Sequence, residues 1–131
     1  MPRSPNNPQP IVFVVDDDQA VCSSLKFALE LEGFAVSTFA DGESLLSRAD
    51  LPRPHCLVVD YKLLGMSGID LLNELRRRDV QTPALLITSN PSRTLRSAAE
   101  RLGVSIIEKP LLTNALSECV REICRSPEGR R

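Results

Sequence analysis

His55-Cys56-Leu57-Val58-Val59-Asp60, followed at once by Tyr61-Lys62-Leu63-Leu64-Gly65-Met66-Ser67-Gly68, decides how this chain folds. An unbroken apolar run of that length reads as a strand buried on both faces, as in a parallel sheet. The carboxylate that closes it falls at the strand's carboxyl end, where open α/β sheets bind their ligands. Ile11-Val12-Phe13-Val14-Val15 ends in the same way, in Asp16-Asp17-Asp18. Two strands thus bring acids toward one rim of one sheet. Carboxylates crowded together repel by roughly 4 kcal/mol per pair at 4 Å in a partly screened site. Such a cluster persists only with raised pKa values or a bound cation.

Outward from this stretch, strand-like and helix-like segments alternate. Ile11 to Val15 is a strand, and Gln19 to Glu32 a helix whose Val21, Leu25 and Ala28 share a face; Gly33 stops it. Phe34 to Phe39 is the second strand, and Asp41 caps a short helix from Gly42 to about Arg48. Leu51-Pro52-Arg53-Pro54 is a connector. After the Cys56–Asp60 strand, Ser67 caps a helix from Gly68 to Arg78 with an inward stripe of Ile69, Leu72 and Leu75. Pro83 to Thr88 is the fourth strand, and Asn90-Pro91 reads as an N-cap followed by proline at the first helical position. That helix stops at Gly103. Val104 to Glu108 is the fifth strand, and Leu111 to Arg125 the last helix, with Leu112, Leu116, Val120 and Ile123 inward. Five strands, each followed by a helix, predict an α/β fold: a doubly wound five-stranded parallel sheet with helices on both faces.

Composition narrows the function. The chain has 131 residues and a net charge of −1, enough for one domain and without a basic footprint for nucleic acid. No apolar stretch is long enough to span a bilayer, and the N-terminus lacks the apolar core of a signal peptide, so no membrane and a cytoplasmic location are expected. Residues 1–9 read as a disordered leader, 10–125 as the domain, and 126–131 as a flexible tail. Cys22, Cys56, Cys119 and Cys124 lack zinc or redox spacing, and Cys56 reads as a small core residue. His55, the only histidine, precedes its strand and reads as scaffold. Met66 and Phe27 read as core packing.

In this architecture the first, third, fourth and fifth strands end in Asp16-Asp17, Asp60, Thr88-Ser89 and Lys109-Pro110. Carboxylates, a hydroxyl and an ammonium then converge at one rim. Hard carboxylate oxygens suit Mg²⁺ better than zinc. Together they supply the charge neutralisation and positioning that phosphoryl transfer requires.

Those same stretches carry a family resemblance. Val14-Val15-Asp16-Asp17-Asp18, Val58-Val59-Asp60 with Met66-Ser67-Gly68, Ile87-Thr88-Ser89 and Glu108-Lys109-Pro110 resemble, in order, the receiver domain of the response regulators of bacterial two-component systems. The resemblance covers Ile11 to about Cys124. It implies a flavodoxin-like sheet of strand order 2-1-3-4-5 with five helices. Further, it implies a single-domain response regulator that is not an enzyme, accepting a phosphoryl group on Asp60 from a sensor histidine kinase with Mg²⁺ present. Asp17 and Asp60 would bind Mg²⁺ directly, Asp16 through water, and Lys62 through its backbone carbonyl. Thr88 would hydrogen-bond the phosphoryl group and Lys109 pair with it, the Lys109-Pro110 bond being cis. Asp18 is assigned to capping. The signal would pass to an unknown downstream protein or along a phosphorelay. A homodimer through the fourth helix, fifth strand and fifth helix is a further implied partner, with Arg93, Arg96, Arg101, Glu118 and Glu122 at its rim.

The chain departs from the family pattern in three places. Ile106 stands where the family commonly has an aromatic residue, which removes the usual coupling of hydroxyl to ring. Leu64 replaces a common proline, and the segment from Thr88 to Lys109 is about one residue short. Phosphorylation is therefore expected to survive, with output through an altered surface. The alternative is a degenerate receiver that binds its partner without phosphorylation. A phosphohydrolase using Asp60 would need a second acid two positions on, where Lys62 stands.

Overall fold

The computed structural model of the chain describes residues 9–48, 53–109 and 115–125. Most of the expected leader, the tail, part of the Leu51–Pro54 connector, the Lys109-Pro110 bond and the start of the last helix lie outside these residues. In chain order the elements are β1 (Ile11–Val15), α1 (Gln19–Leu31), β2 (Ala35–Phe39), α2 (Gly42–Leu46), β3 (Cys56–Asp60), α3 (Gly68–Arg77), β4 (Ala84–Thr88), α4 (Arg93–Leu102), β5 (Ser105–Glu108) and α5 (Ala115–Arg125). The strands form one parallel sheet in the order β2-β1-β3-β4-β5. That is the doubly wound fold expected, and it puts the acid-bearing β1 and β3 side by side at its centre.

Alternation along each strand divides the core into two layers. Phe13, Val15, Leu57, Val59 and Leu86 join α3 residues Leu71, Leu72 and Leu75 and α4 residues Leu95 and Ala99 on one face. Val12, Val14, Cys56, Val58, Leu85 and Ile87 join α1 and α5 residues Cys22, Leu29, Leu116 and Val120 on the other. β3 and β4 are buried along their whole length, which is why they carry no polar residue before their last position. Each fully buried leucine or valine contributes about 2 kcal/mol.

Three of the expected caps are present. Asp18 accepts from the Ala20 and Val21 N–H groups at 3.0 and 3.3 Å, Asp41 from Ser44 N–H at 2.8 Å, and Ser67 Oγ from Asp70 N–H at 3.1 Å. Asp70 returns the bond to Ser67 N–H, completing a capping box at α3.

The entry to α4 differs. Ser92, not Asn90, is the N-cap: its Oγ accepts from Leu95 N–H at 3.0 Å. Asn90 turns the chain at φ 49° instead, a left-handed conformation that asparagine tolerates better than most residues. Pro91 therefore precedes the helix. The inward face of α1 also differs. Cys22 and Leu29 are buried and Leu25 half-buried, while Ala28 is exposed and Phe27, expected in the core, is 68% exposed. Helical spacing permits either face; the larger Leu29 and the Cys22 thiol, which donates to the Asp16 carbonyl at 3.2 Å, select the one observed.

His55 serves as scaffold. Its Nδ1 accepts from Ile11 N–H at 3.0 Å and its own N–H donates to Ile11 O at 2.7 Å, joining the starts of β1 and β3. At the sheet's border, Lys26 of α1 donates to the Val36 carbonyl of β2 at 3.0 Å and pairs with Glu30 at 2.7 Å.

Candidate functional site

The acids meet because β1 and β3 are neighbours in register, Val15 beside Val59. Asp16 N–H donates to Phe39 O at 3.0 Å and Tyr61 N–H to Ile87 O at 2.8 Å, so sheet bonding runs to the rim and fixes both acids there. One carboxylate oxygen each from Asp16, Asp17 and Asp60 lies within 4.8 Å of the other two. Asp16 and Asp60 are 3% and 5% exposed, and Asp17 faces solvent. Asp18 N–H donates to Asp16 Oδ1 at 2.9 Å, which orients that carboxylate, while Asp18's own side chain caps α1.

Gly68 is the residue that lets α3 approach. Its N–H donates to Tyr61 O at 2.7 Å, and a Cβ there would fall 2.5 Å from Asp60 O. Any other side chain would push the helix away from the acid.

The cationic and hydroxyl partners come from the other side. Lys109 follows β5, and its Nζ lies 3.2 Å from Asp60 Oδ1. Its backbone N–H donates to Thr88 O at 2.8 Å, which ties it to the end of β4. Thr88 is buried, and its hydroxyl donates to Ser89 O at 3.2 Å. Asp60, Thr88 and Lys109 line one cleft of about 410 Å³, shared with Tyr61, Ser89, Asn90, Ser92 and Leu95.

Burial dominates the electrostatics of the two enclosed acids, and the neighbouring carboxylate charges add to it. Burial pushes the Asp60 carboxyl above its ordinary range, against the pull of the Lys109 ammonium; the Asp17 charge adds to the rise. Burial likewise raises Asp16, opposed by the Asp18 N–H bond and reinforced by the charge of Asp60. Hence each buried carboxylate is held in an ionised state only at some expense, and a hard divalent cation bound by oxygens would relieve it. The donor set, three carboxylates and no thiolate or imidazole, fits Mg²⁺.

All five expected side chains, Asp16, Asp17, Asp60, Thr88 and Lys109, therefore gather at one rim. Lys62 is exposed and lines both this cleft and a neighbouring one that Asp17 borders. Sequence reasoning passed over Tyr61, Asn90 and Ser92 as parts of the cleft. A polar run, Ser89-Asn90-Pro91-Ser92, directly after a buried strand was the available signal. Ile106 is half-buried, pairs with Leu86 across the sheet and packs on the α3–α4 layer.

Comparison with known proteins agrees with this geometry. The family model of the response regulator receiver domain matches residues 12–121. The chain belongs to that family. Receiver domains are phosphoacceptor signalling domains that bind Mg²⁺ at an acidic pocket and are phosphorylated by histidine kinases. Among curated relatives, the transcriptional regulatory protein FixJ of Azorhizobium caulinodans is 36% identical over 92% of this chain and 58% of its own length. The C4-dicarboxylate transport transcriptional regulatory protein DctD of Pseudomonas aeruginosa is 33% identical over 99% of this chain but only 28% of its own. The chain thus spans about half, or less, of the curated relatives it matches. Among solved structures, a CheY-like receiver domain from Methanospirillum hungatei JF-1 superposes with a TM-score of 0.82 at 26% identity, covering 88% of this chain and 94% of the other. The FixJ-N crystal structure gives 0.78 at 31% identity, covering 88% and 93%. Among the described residues, no helix of the receiver is long and apolar enough to cross a membrane.

Proposed function

We propose that residues 10–125 act as a phosphorylatable receiver in which Asp60 takes a phosphoryl group from the phosphohistidine of a sensor kinase. The observation that carries this reading is the Lys109 Nζ–Asp60 Oδ1 contact at 3.2 Å beside two further carboxylates within 4.8 Å. An Asp60 oxygen attacks phosphorus, the N–P bond of the donor breaks, and the histidine nitrogen regains a proton. Asp16, Asp17 and Asp60, with the Lys62 carbonyl, would hold Mg²⁺, which supplies positive charge against the phosphoryl oxygens. Lys109, at 3.2 Å from Asp60, would exchange that partner for a phosphoryl oxygen. The Thr88 hydroxyl, now bonded to Ser89 O, would turn toward another. Tyr61 and Leu95 line the same cleft. The phosphorylated domain would then bind a downstream protein or pass the group to a second histidine. Incubation with acetyl phosphate and Mg²⁺, read by intact mass, gives one added phosphoryl group. Its persistence in Asp60→Asn would refute the assignment.

Ile106 favours a second reading, a receiver that binds its partner whether or not it is phosphorylated. The β-branched side chain cannot swing a ring between exposed and buried positions. Equal affinity of the partner for the unmodified and beryllofluoride-treated forms would select this reading.

A further inference from the structure

At the end of the sheet opposite the acids, the structure holds a second hollow, about 230 Å³, that the phosphorylation chemistry does not use. Its floor is apolar: Phe13, Leu57 and Leu75 from β1, β3 and α3, with Val80 beyond the helix. Its rim carries three arginines, Arg48, Arg53 and Arg78. Arg78 is fixed there, its Nε bonded to Glu74 and its Nη1 to the Leu46 carbonyl, each at 3.0 Å. Arg48 and Arg53 form no ion pair with another described residue.

We propose that this hollow binds a small amphipathic carboxylate, its hydrocarbon or aromatic body on the Phe13–Leu57–Leu75 floor and its carboxylate on the Arg48 and Arg53 guanidinium groups. Guanidinium is the side-chain group best matched to a carboxylate, through two parallel N–H···O bonds. An apolar floor with a few convergent polar groups is the usual make-up of a small-molecule site. The volume is below that of a drug-sized pocket, which restricts the ligand to a short chain or a single ring. An uncharged body would leave the arginines unused, and a bare anion would leave the floor wet, so the structure favours a ligand with both parts.

The test is a titration of the full chain with octanoate, followed by ¹H–¹⁵N spectra, with octanol and acetate run in parallel. Saturable shifts at Phe13, Leu57, Leu75 and Val80 are expected with octanoate, at an affinity at least tenfold above that of octanol or acetate. The double variant Arg48→Ala/Arg53→Ala, both exposed positions, is expected to lose at least tenfold for octanoate and nothing for octanol, with an unchanged circular dichroism spectrum. Non-saturable shifts, equal binding of octanoate and octanol, or an unaltered octanoate affinity in the double variant would each overturn the proposal.

Discussion

Lys109 Nζ stands 3.2 Å from Asp60 Oδ1 although the residues belong to the ends of strands that never touch, since β4 lies between β3 and β5. The lysine's long stem bridges over Thr88, to whose carbonyl its own N–H is bonded. On the function proposed above, Lys109 would compete with Mg²⁺ for Asp60. Replacing Lys109 with Met is expected to tighten Mg²⁺ binding at least several-fold at pH 8, because it removes a like charge held beside Asp60. Tyr61, beside Asp60, is the only tyrosine in a chain without tryptophan, so its fluorescence reports the titration directly. Unchanged or weaker binding would show that the pair does not oppose the cation.

The raised carboxyls of Asp16 and Asp60 set a pH dependence whose sign follows from linkage. An acid with a folded-state pKa above its unfolded value binds more protons folded than unfolded within that window. Its contribution is fully present below the unfolded pKa near 4 and is lost as pH rises through the folded value. Without metal, the melting temperature is expected to fall as pH rises from the unfolded carboxyl pKa near 4. Saturating Mg²⁺ should flatten or reverse that slope, because it binds the ionised folded form alone. Asp16→Asn keeps an acceptor for Asp18 N–H and removes a buried charge. That variant should be more stable than the parent at pH 7.5 without metal and gain less from Mg²⁺, as read by thermal scans.

Gly68→Ala tests the approach of α3 to β3. The new Cβ meets the Asp60 carbonyl at 2.5 Å, Leu86 Cδ1 at 2.9 Å and Val59 Cγ1 at 3.0 Å. Backbone cannot yield as a flexible side-chain tip can, so a loss of about 3 kcal/mol is expected in urea unfolding. A loss within about 0.5 kcal/mol, the range of an ordinary surface change, would contradict that packing.

The two faces of α1 predict opposite responses. Phe27→Ser, at a position 68% exposed, should leave stability within about 0.5 kcal/mol. Leu29→Ala, at 1% exposure, should cost about 3 kcal/mol through lost burial and a cavity. Chemical denaturation of both variants decides which face of the helix is inward.

Buried strands proved the most legible part of this fold. Val58-Val59-Asp60 and Leu86-Ile87-Thr88 could be placed because β3 and β4 are enclosed on both faces and tolerate only apolar residues until the rim. The rim residues followed, since a polar group after such a run has few places to go. Short-range signals were legible where one residue type alone could act: Asp18, Asp41 and Ser67 each cap a helix as expected. They failed where two residues competed. Asn90 and Ser92 both suit an N-cap, and only the turn at φ 49° gives the role to serine. For α1 the spacings 21-25-28 and 22-25-29 are equally helical, and the choice lies in contacts with β1 and β2, far away in sequence. The cleft-lining role of Tyr61 and Ser92 was hidden for the same reason: it depends on how β3 and α4 come together.

Lys26 has a bearing on how this domain fares at high concentration. β2 lies at the margin of the sheet, and an uncovered margin offers carbonyls on which a stray chain can begin an intermolecular ladder. By occupying the Val36 oxygen with an ammonium, α1 places a charge where a foreign strand would have to dock. A neutral residue at position 26 would leave that oxygen vacant, and the domain would sooner seed fibrils from its second strand.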